Sequence, residues 1–168
     1  MKADLQFDFS VDMKNNTLTV KREFAASREL VWDCYTNSAL LDQWFAPKPL
    51  TTKTKSMDFS EGGHWHYAMI DPDGQEYWGW MDYQTINPVE NYTALDGFSN
   101  EAGALVPGMP RSNWHVTFTG APGRTHVQTV VTYKSNEELV QVLAMGMQEG
   151  LTSTLERLDE LLLKLTKS

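Results

Sequence analysis

Between His64 and Met69 the chain alternates strictly, so that in a strand His64 and His66 share one face while Trp65, Tyr67 and Met69 share the other. Runs of the same strand-like kind occur at Thr17–Phe24, Leu50–Phe59, Glu76–Ile86, Asn91–Phe98, Asn113–Thr119 and Thr125–Tyr133, and a further strand is expected at Leu5–Val11. Asp71-Pro72-Asp73-Gly74 has the residues of a tight turn and predicts a hairpin between the His64–Ile70 and Glu76–Ile86 strands. Gly120-Ala121-Pro122-Gly123 predicts the same for the last two strands, and consecutive hairpins give an antiparallel meander.

Helical periodicity appears in three places. Ser27 is an N-cap candidate for a short helix to about Tyr35, with Glu29 in its first turn and Leu30, Val31, Cys34 and Tyr35 on its apolar side. A second short helix is expected over Ser38–Phe45, stopped by Pro47 and Pro49. From Ser135, whose spacing to Glu138 is that of a capping box, helix formers continue to about Leu165 and predict one long helix. Its apolar stripe runs through Met147, Leu151, Leu155 or Thr154, Leu158, Leu162 and Leu165. The elements add up to an α+β fold: a curved antiparallel sheet, two short helices after the first strand, and a long C-terminal helix across the sheet.

Composition narrows the function. At 168 residues, without repeats or linkers, residues 1–168 are expected to form a single domain large enough to enclose a core or a cavity. A formal net charge of −8 disfavours nucleic acid and anionic membranes as partners. Cys34 is the only cysteine, which excludes an intrachain disulfide and a cysteine zinc cluster and marks a small core residue rather than a nucleophile. The N-terminal MKADLQFDFSVD has no apolar signal-like core, and no apolar run is long enough to span a bilayer, so a cytoplasmic location is expected.

Four segments in this order carry a family likeness: TLTVKREFAASRELVWDCYTNSALLDQWFAPKP, DFSEGGHWHYAMIDPDG, INP followed by DGFSNEAG, and MGMQEGLTSTLERLDELL. Together they resemble the SRPBCC superfamily of START-like and birch-pollen-allergen-like helix-grip domains. Within it the chain is most similar to homologues of the C-terminal domain of the heat shock protein 90 ATPase activator. The resemblance runs from about Thr17 to Leu165 and departs from the family pattern at two positions. Thr85 stands where a glutamate is common before the Ile-x-Pro element, and Leu151 where a tryptophan is usual. The likeness implies a pocket between the concave face of the sheet and the last helix. Members bind apolar or amphipathic small molecules, act as stress-related modules, or catalyse ring closure in related cyclases.

The family pattern turns Trp65, Tyr67 and Met69 inward, as core or as pocket lining, and turns His64 and His66 outward onto the exposed convex face. Trp44, Met81, Trp114, Met147 and Leu151 complete the expected cavity-lining set, with Met side chains suited to an adaptable wall. The two histidines have the spacing of strand-borne metal ligands, but no HExxH, CxxC or facial-triad pattern accompanies them, and no metal or cofactor is expected. GxSxG, P-loop and dinucleotide-binding patterns are likewise missing from the sequence, and no catalytic set is assigned. Tyr67, Tyr83 and Asp82 are the only acid–base candidates. The expected function is binding of a hydrophobic or aromatic small molecule in the cavity. The alternatives are a co-chaperone-like module that docks a chaperone and stimulates its ATPase, and a cyclase-type enzyme using the same cavity.

Overall fold

The computed structural model describes residues 5–166, so the outermost residues of the expected 1–168 domain lie outside it. Eight strands form one antiparallel sheet: β1 (Phe7–Asp12), β2 (Thr17–Phe24), β3 (Thr51–Met57), β4 (His64–Ile70), β5 (Glu76–Asn87), β6 (Asn91–Phe98), β7 (Ser112–Ala121) and β8 (Arg124–Tyr133). Their spatial order is β1-β2-β8-β7-β6-β5-β4-β3, so β2 crosses over to pair with the last strand while β3 to β8 form the expected meander. Strand alternation translates directly into burial: in β8 every second residue, from Thr125 to Tyr133, is buried on the concave face. Irregular pairing between Thr54 and Ser56 in β3 and between Tyr83 and Thr85 in β5 bends those strands and adds to the curl.

Helix α1 (Arg28–Thr36) begins where expected, with the Ser27 hydroxyl accepting from the Leu30 N–H at 3.2 Å. Helix α2 is shorter than the Ser38–Phe45 segment expected from sequence. It spans Ser38–Leu41 and gives way to successive turns that end with the Phe45 N–H on the Leu41 carbonyl at 2.9 Å. From consecutive positions Trp44 packs on Tyr35 of α1 and Phe45 meets Trp65 and Tyr67 of β4. The Trp44 indole N–H reaches back to the Cys34 carbonyl at 2.9 Å, locking α2 onto α1. Cys34 is fully buried, and burial, helped by the Asp33 charge, pushes its thiol up to about 11, consistent with a packing residue.

The C-terminal region departs from the single long helix read from sequence. Ser135 caps as expected, its hydroxyl accepting from the Glu138 N–H at 3.2 Å, but the segment divides into α3 (Asn136–Ala144) and α4 (Met147–Thr166). The break is at Gly146, whose φ of +92° no right-handed helix contains. With the chain redirected there, α3 leans on β8, and α4 reaches the sheet at β2 through Asp159 and Arg22.

Contacts on both sides hold α4 in place. Asp159 forms a buried ion pair with Arg22 of β2 at 3.3 Å, and the Arg22 guanidinium also lies over the rings of Phe7 and Phe24. On the other side Arg157 donates to the carbonyls of Ala46 and Leu50 at 2.8 and 2.6 Å, and the Lys48 N–H donates to the Ser153 hydroxyl at 2.9 Å. The α2–β3 connection is thereby tied to the helix across the mouth of the sheet.

Since an alanine Cβ disfavours the backbone conformation at Gly146, Gly146→Ala is expected to destabilise the protein by about 1 to 2 kcal/mol. Chemical denaturation checks this, and unchanged stability would show that the helix break does not depend on glycine.

Candidate functional site

The two faces of the sheet divide the sequence candidates. On the convex face His64 stacks on Trp80 with ring centroids 4.5 Å apart, and its Nε2 pairs with the Ser56 hydroxyl at 2.8 Å. His66 corrects the expectation of an exposed pair: it is only 3% exposed. The rings of Trp78 and Trp80 lie against it, and the β6–β7 loop folds over it, placing the Asn100 carbonyl 3.1 Å from its Nε2. Lys55 fastens the same loop by donating to the Glu101 carbonyl at 2.7 Å. Each histidine therefore has one ring nitrogen engaged in a structural hydrogen bond. Among the described residues no three His, Cys, Asp or Glu side chains gather into a metal-holding group.

On the concave face a cavity of about 310 Å³ opens between the sheet and the α3–α4 break. Six of the expected lining residues border it: Tyr67, Met69, Met81, Trp114, Met147 and Leu151. Trp44 and Trp65 do not, which corrects the set. Both are 1% exposed and packed into the core behind the wall. Trp65 stacks on Tyr67 at 4.0 Å and meets Phe45 edge-on, with its indole N–H on the Thr54 hydroxyl at 3.0 Å. Inward orientation is common to core and wall, so alternation alone did not separate these two from their neighbours.

The rest of the wall comes from residues that sequence reasoning passed over: Phe45 and Pro47 before β3, Phe98 and Pro110 flanking the β6–β7 loop, Tyr133, Val142, and Met145 with Gly146 at the helix break. Tyr67 holds its place because its neighbour across the ladder, Gly79, has no side chain. A Cβ at that position would fall 2.6 Å from the phenol carbon and oxygen of Tyr67.

One end of the cavity is polar. Asp96 of β6 accepts from the Ser112 N–H and hydroxyl at 3.1 and 2.6 Å through Oδ1, and from the Trp114 indole N–H at 2.9 Å through Oδ2. Tyr133 stands opposite Ser112 in the β7–β8 ladder and lines the same end. Burial raises the Asp96 carboxyl above the usual range for an aspartate, against the opposing pull of these donors and of the Arg111 charge. Burial also raises the Tyr67 and Tyr133 hydroxyls, with the nearby Asp96 charge adding to it, and keeps both neutral at ordinary pH. Of the acid–base candidates named from sequence, only Tyr67 reaches the cavity. Asp82 pairs with Arg111 at 2.9 Å on the other face, and Tyr83 is packed against Phe59 and Tyr92 in the core. Asp96 was the residue missed; its sole signal was a carboxylate at an inward position of an alternating strand.

Comparison with known proteins agrees with this architecture. The sequence profile of the family described as "Activator of Hsp90 ATPase homolog 1-like protein" matches residues 25–163. The chain belongs to this family. No curated protein matches it. Among solved structures, a protein of Arthrobacter aurescens determined by NMR is similar at 27% identity with a TM-score of 0.88, over 94% of this chain and 91% of that one. Protein Ms6760 of Mycobacterium smegmatis is 33% identical with a TM-score of 0.86, over 94% and 96% of the two chains. A Staphylococcus epidermidis protein is 26% identical with a TM-score of 0.81, over 92% and 94%. The family and its helix-grip fold are compatible with ligand binding or chaperone-related roles. Among the described residues of this activator homologue, no helix is long and apolar enough to cross a membrane.

The raised Asp96 carboxyl has a stability consequence with a definite sign. Between the ordinary aspartate value and the raised one, the folded state keeps a proton that the unfolded chain has lost, so stability is lost as pH rises through that window. The unfolding free energy of the wild type relative to Asp96→Asn is expected to fall with rising pH there and to level off above it. Denaturation at a series of pH values measures this, and the opposite slope would mean that the donors outweigh burial.

Proposed function

We propose that this activator homologue binds an apolar or amphipathic small molecule in the cavity between the concave sheet and α4. The observation that carries the reading is the cavity itself: about 310 Å³, walled largely by aromatic, methionine and aliphatic side chains, with hydrogen-bonding groups at one end. Each ligand methylene moved from water into such a wall contributes about 0.8 kcal/mol, so affinity would come from apolar burial and orientation from the polar end. The four methionines Met69, Met81, Met145 and Met147 on the wall adapt to ligand shape at little cost.

The family description names an activator of the Hsp90 ATPase, and this favours a second reading in which the domain docks a chaperone through its surface. Capture of a purified Hsp90-type chaperone together with stimulation of its ATPase would support it, and a chaperone that is neither captured nor stimulated would count against it.

Leu151 borders the cavity from α4, so Leu151→Trp adds bulk directly to the ligand space. In a thermal-shift and calorimetric screen of apolar compounds, this variant is expected to weaken the best ligand by about tenfold or more, a loss of about 1.4 kcal/mol. His64→Ala, on the opposite face, is expected to leave affinity unchanged. Equal effects of the two variants, or no apolar compound stabilising the wild type, would reject the cavity as the binding site.

A further inference from the structure

Asp96 is the only charged side chain among the described residues that line the cavity. Its Oδ1 is filled by two donors from Ser112, whereas Oδ2 accepts the Trp114 indole alone and retains a free acceptor position. The nearest guanidinium does not neutralise it by direct pairing. Arg111 spends Nη2 on the Asp82 carboxylate at 2.9 Å and the Leu95 carbonyl at 3.1 Å, and Nε on the Asp96 backbone carbonyl at 3.0 Å. The wall thus contains a carboxylate that is costly to ionise and has no cation beside it on the cavity side.

The other polar groups of the wall include no cation, and most of their donors are already spent. The Trp114 N–H goes to Asp96 and Ser112, both Ser112 donors go to Asp96, and Thr154 donates to the Gly150 carbonyl at 2.8 Å. A ligand carboxylate at this end would face the Asp96 carboxylate and meet no cation in the wall. A cation would find that carboxylate together with the rings of Tyr67, Trp114, Phe45 and Phe98, whose faces attract positive charge. The net charge of −8 raises the local concentration of cations and lowers that of anions.

We propose that the cavity selects amphiphiles whose head is an ammonium group, seated on Oδ2 of Asp96 among the aromatic rings, with the apolar body against Met69, Met81 and Leu151. The inference rests on the binding function proposed above and names the class of ligand for that site. Ammonium binding supplies the counter-charge that Asp96 lacks in the free protein, so the ligand recovers part of the cost of burying that carboxylate.

Three probes of matched shape separate the inference from the reading beneath it: 4-phenylbutylamine, 4-phenylbutanol and 4-phenylbutyrate, titrated calorimetrically into the full chain at neutral pH. The amine is expected to bind about tenfold tighter than the alcohol, with the carboxylate weakest. Asp96→Asn is expected to abolish the amine's advantage over the alcohol. In the wild type, which needs no folded variant, the amine-to-alcohol ratio is expected to fall as pH drops and Asp96 takes up its proton. Over that range Tyr67 and Tyr133 stay neutral, so neither tyrosine can produce the change. Alcohol binding without an amine advantage, an advantage that survives Asp96→Asn, or a pH-independent ratio would overturn the inference and leave the cavity's binding function standing. Failure of all three probes to bind would overturn both.

Discussion

A continuous series of ring-to-ring contacts organises this fold. It starts with Tyr83 and Tyr92 around Phe59, passes through Trp32 of α1 to Phe118 and Tyr35, continues through Trp44 to Phe45, and ends on Trp65 and Tyr67 of β4. Nearly every step is edge to face, the arrangement that the ring quadrupole favours. Rings packed this way are stiff and bulky. They fill one half of the concave sheet and fix how closely α1 and α2 can approach it. The last two members, Phe45 and Tyr67, are also the first members of the cavity wall, so the boundary between packed core and open space falls where the series stops.

On the other half the sheet is covered by α4, with α3 leaning on β8, and the two helices leave part of the trough open. The Arg22–Asp159 pair and the Arg157 bonds to the α2–β3 connection fix the height of α4, which prevents it from collapsing onto the sheet. The break at Gly146 turns the preceding segment aside, and the mouth of the cavity lies between that break and the β6–β7 loop. Apolar walls and a half-buried carboxylate at one end then follow from which strand positions face inward. On β6 and β7 these include Asp96, Ser112 and Trp114.

The strands and their facing were legible in the sequence because a period of two leaves little choice once turns such as DPDG are fixed. Asn91–Phe98 was delimited to the residue, and the inward set of β4 was assigned correctly. What escaped depended on contacts distant in sequence. His66 is buried by a loop more than thirty residues away, which no local pattern encodes. A glycine inside a run of helix formers does not announce a positive φ, so the Gly146 break was invisible. Trp44 and Trp65 were assigned to the cavity because a pattern distinguishes inside from outside but not packed from hollow. Asp96 escaped for the related reason that a single aspartate in a strand looks like a surface residue until its three donors are seen.

Tyr67 and Gly79 face one another across the β4–β5 ladder, and the ring lies where a side chain at 79 would begin. The constraint runs one way: position 79 cannot gain a side chain while Tyr67 is kept. A lineage that exchanged the tyrosine for a small residue would release the glycine, and the space vacated would enlarge the cavity beside Asp96. Remodelling of ligand preference in this fold thus has a low-cost entry point that needs only two coordinated changes, in a strand pair that leaves α4 and its anchors untouched.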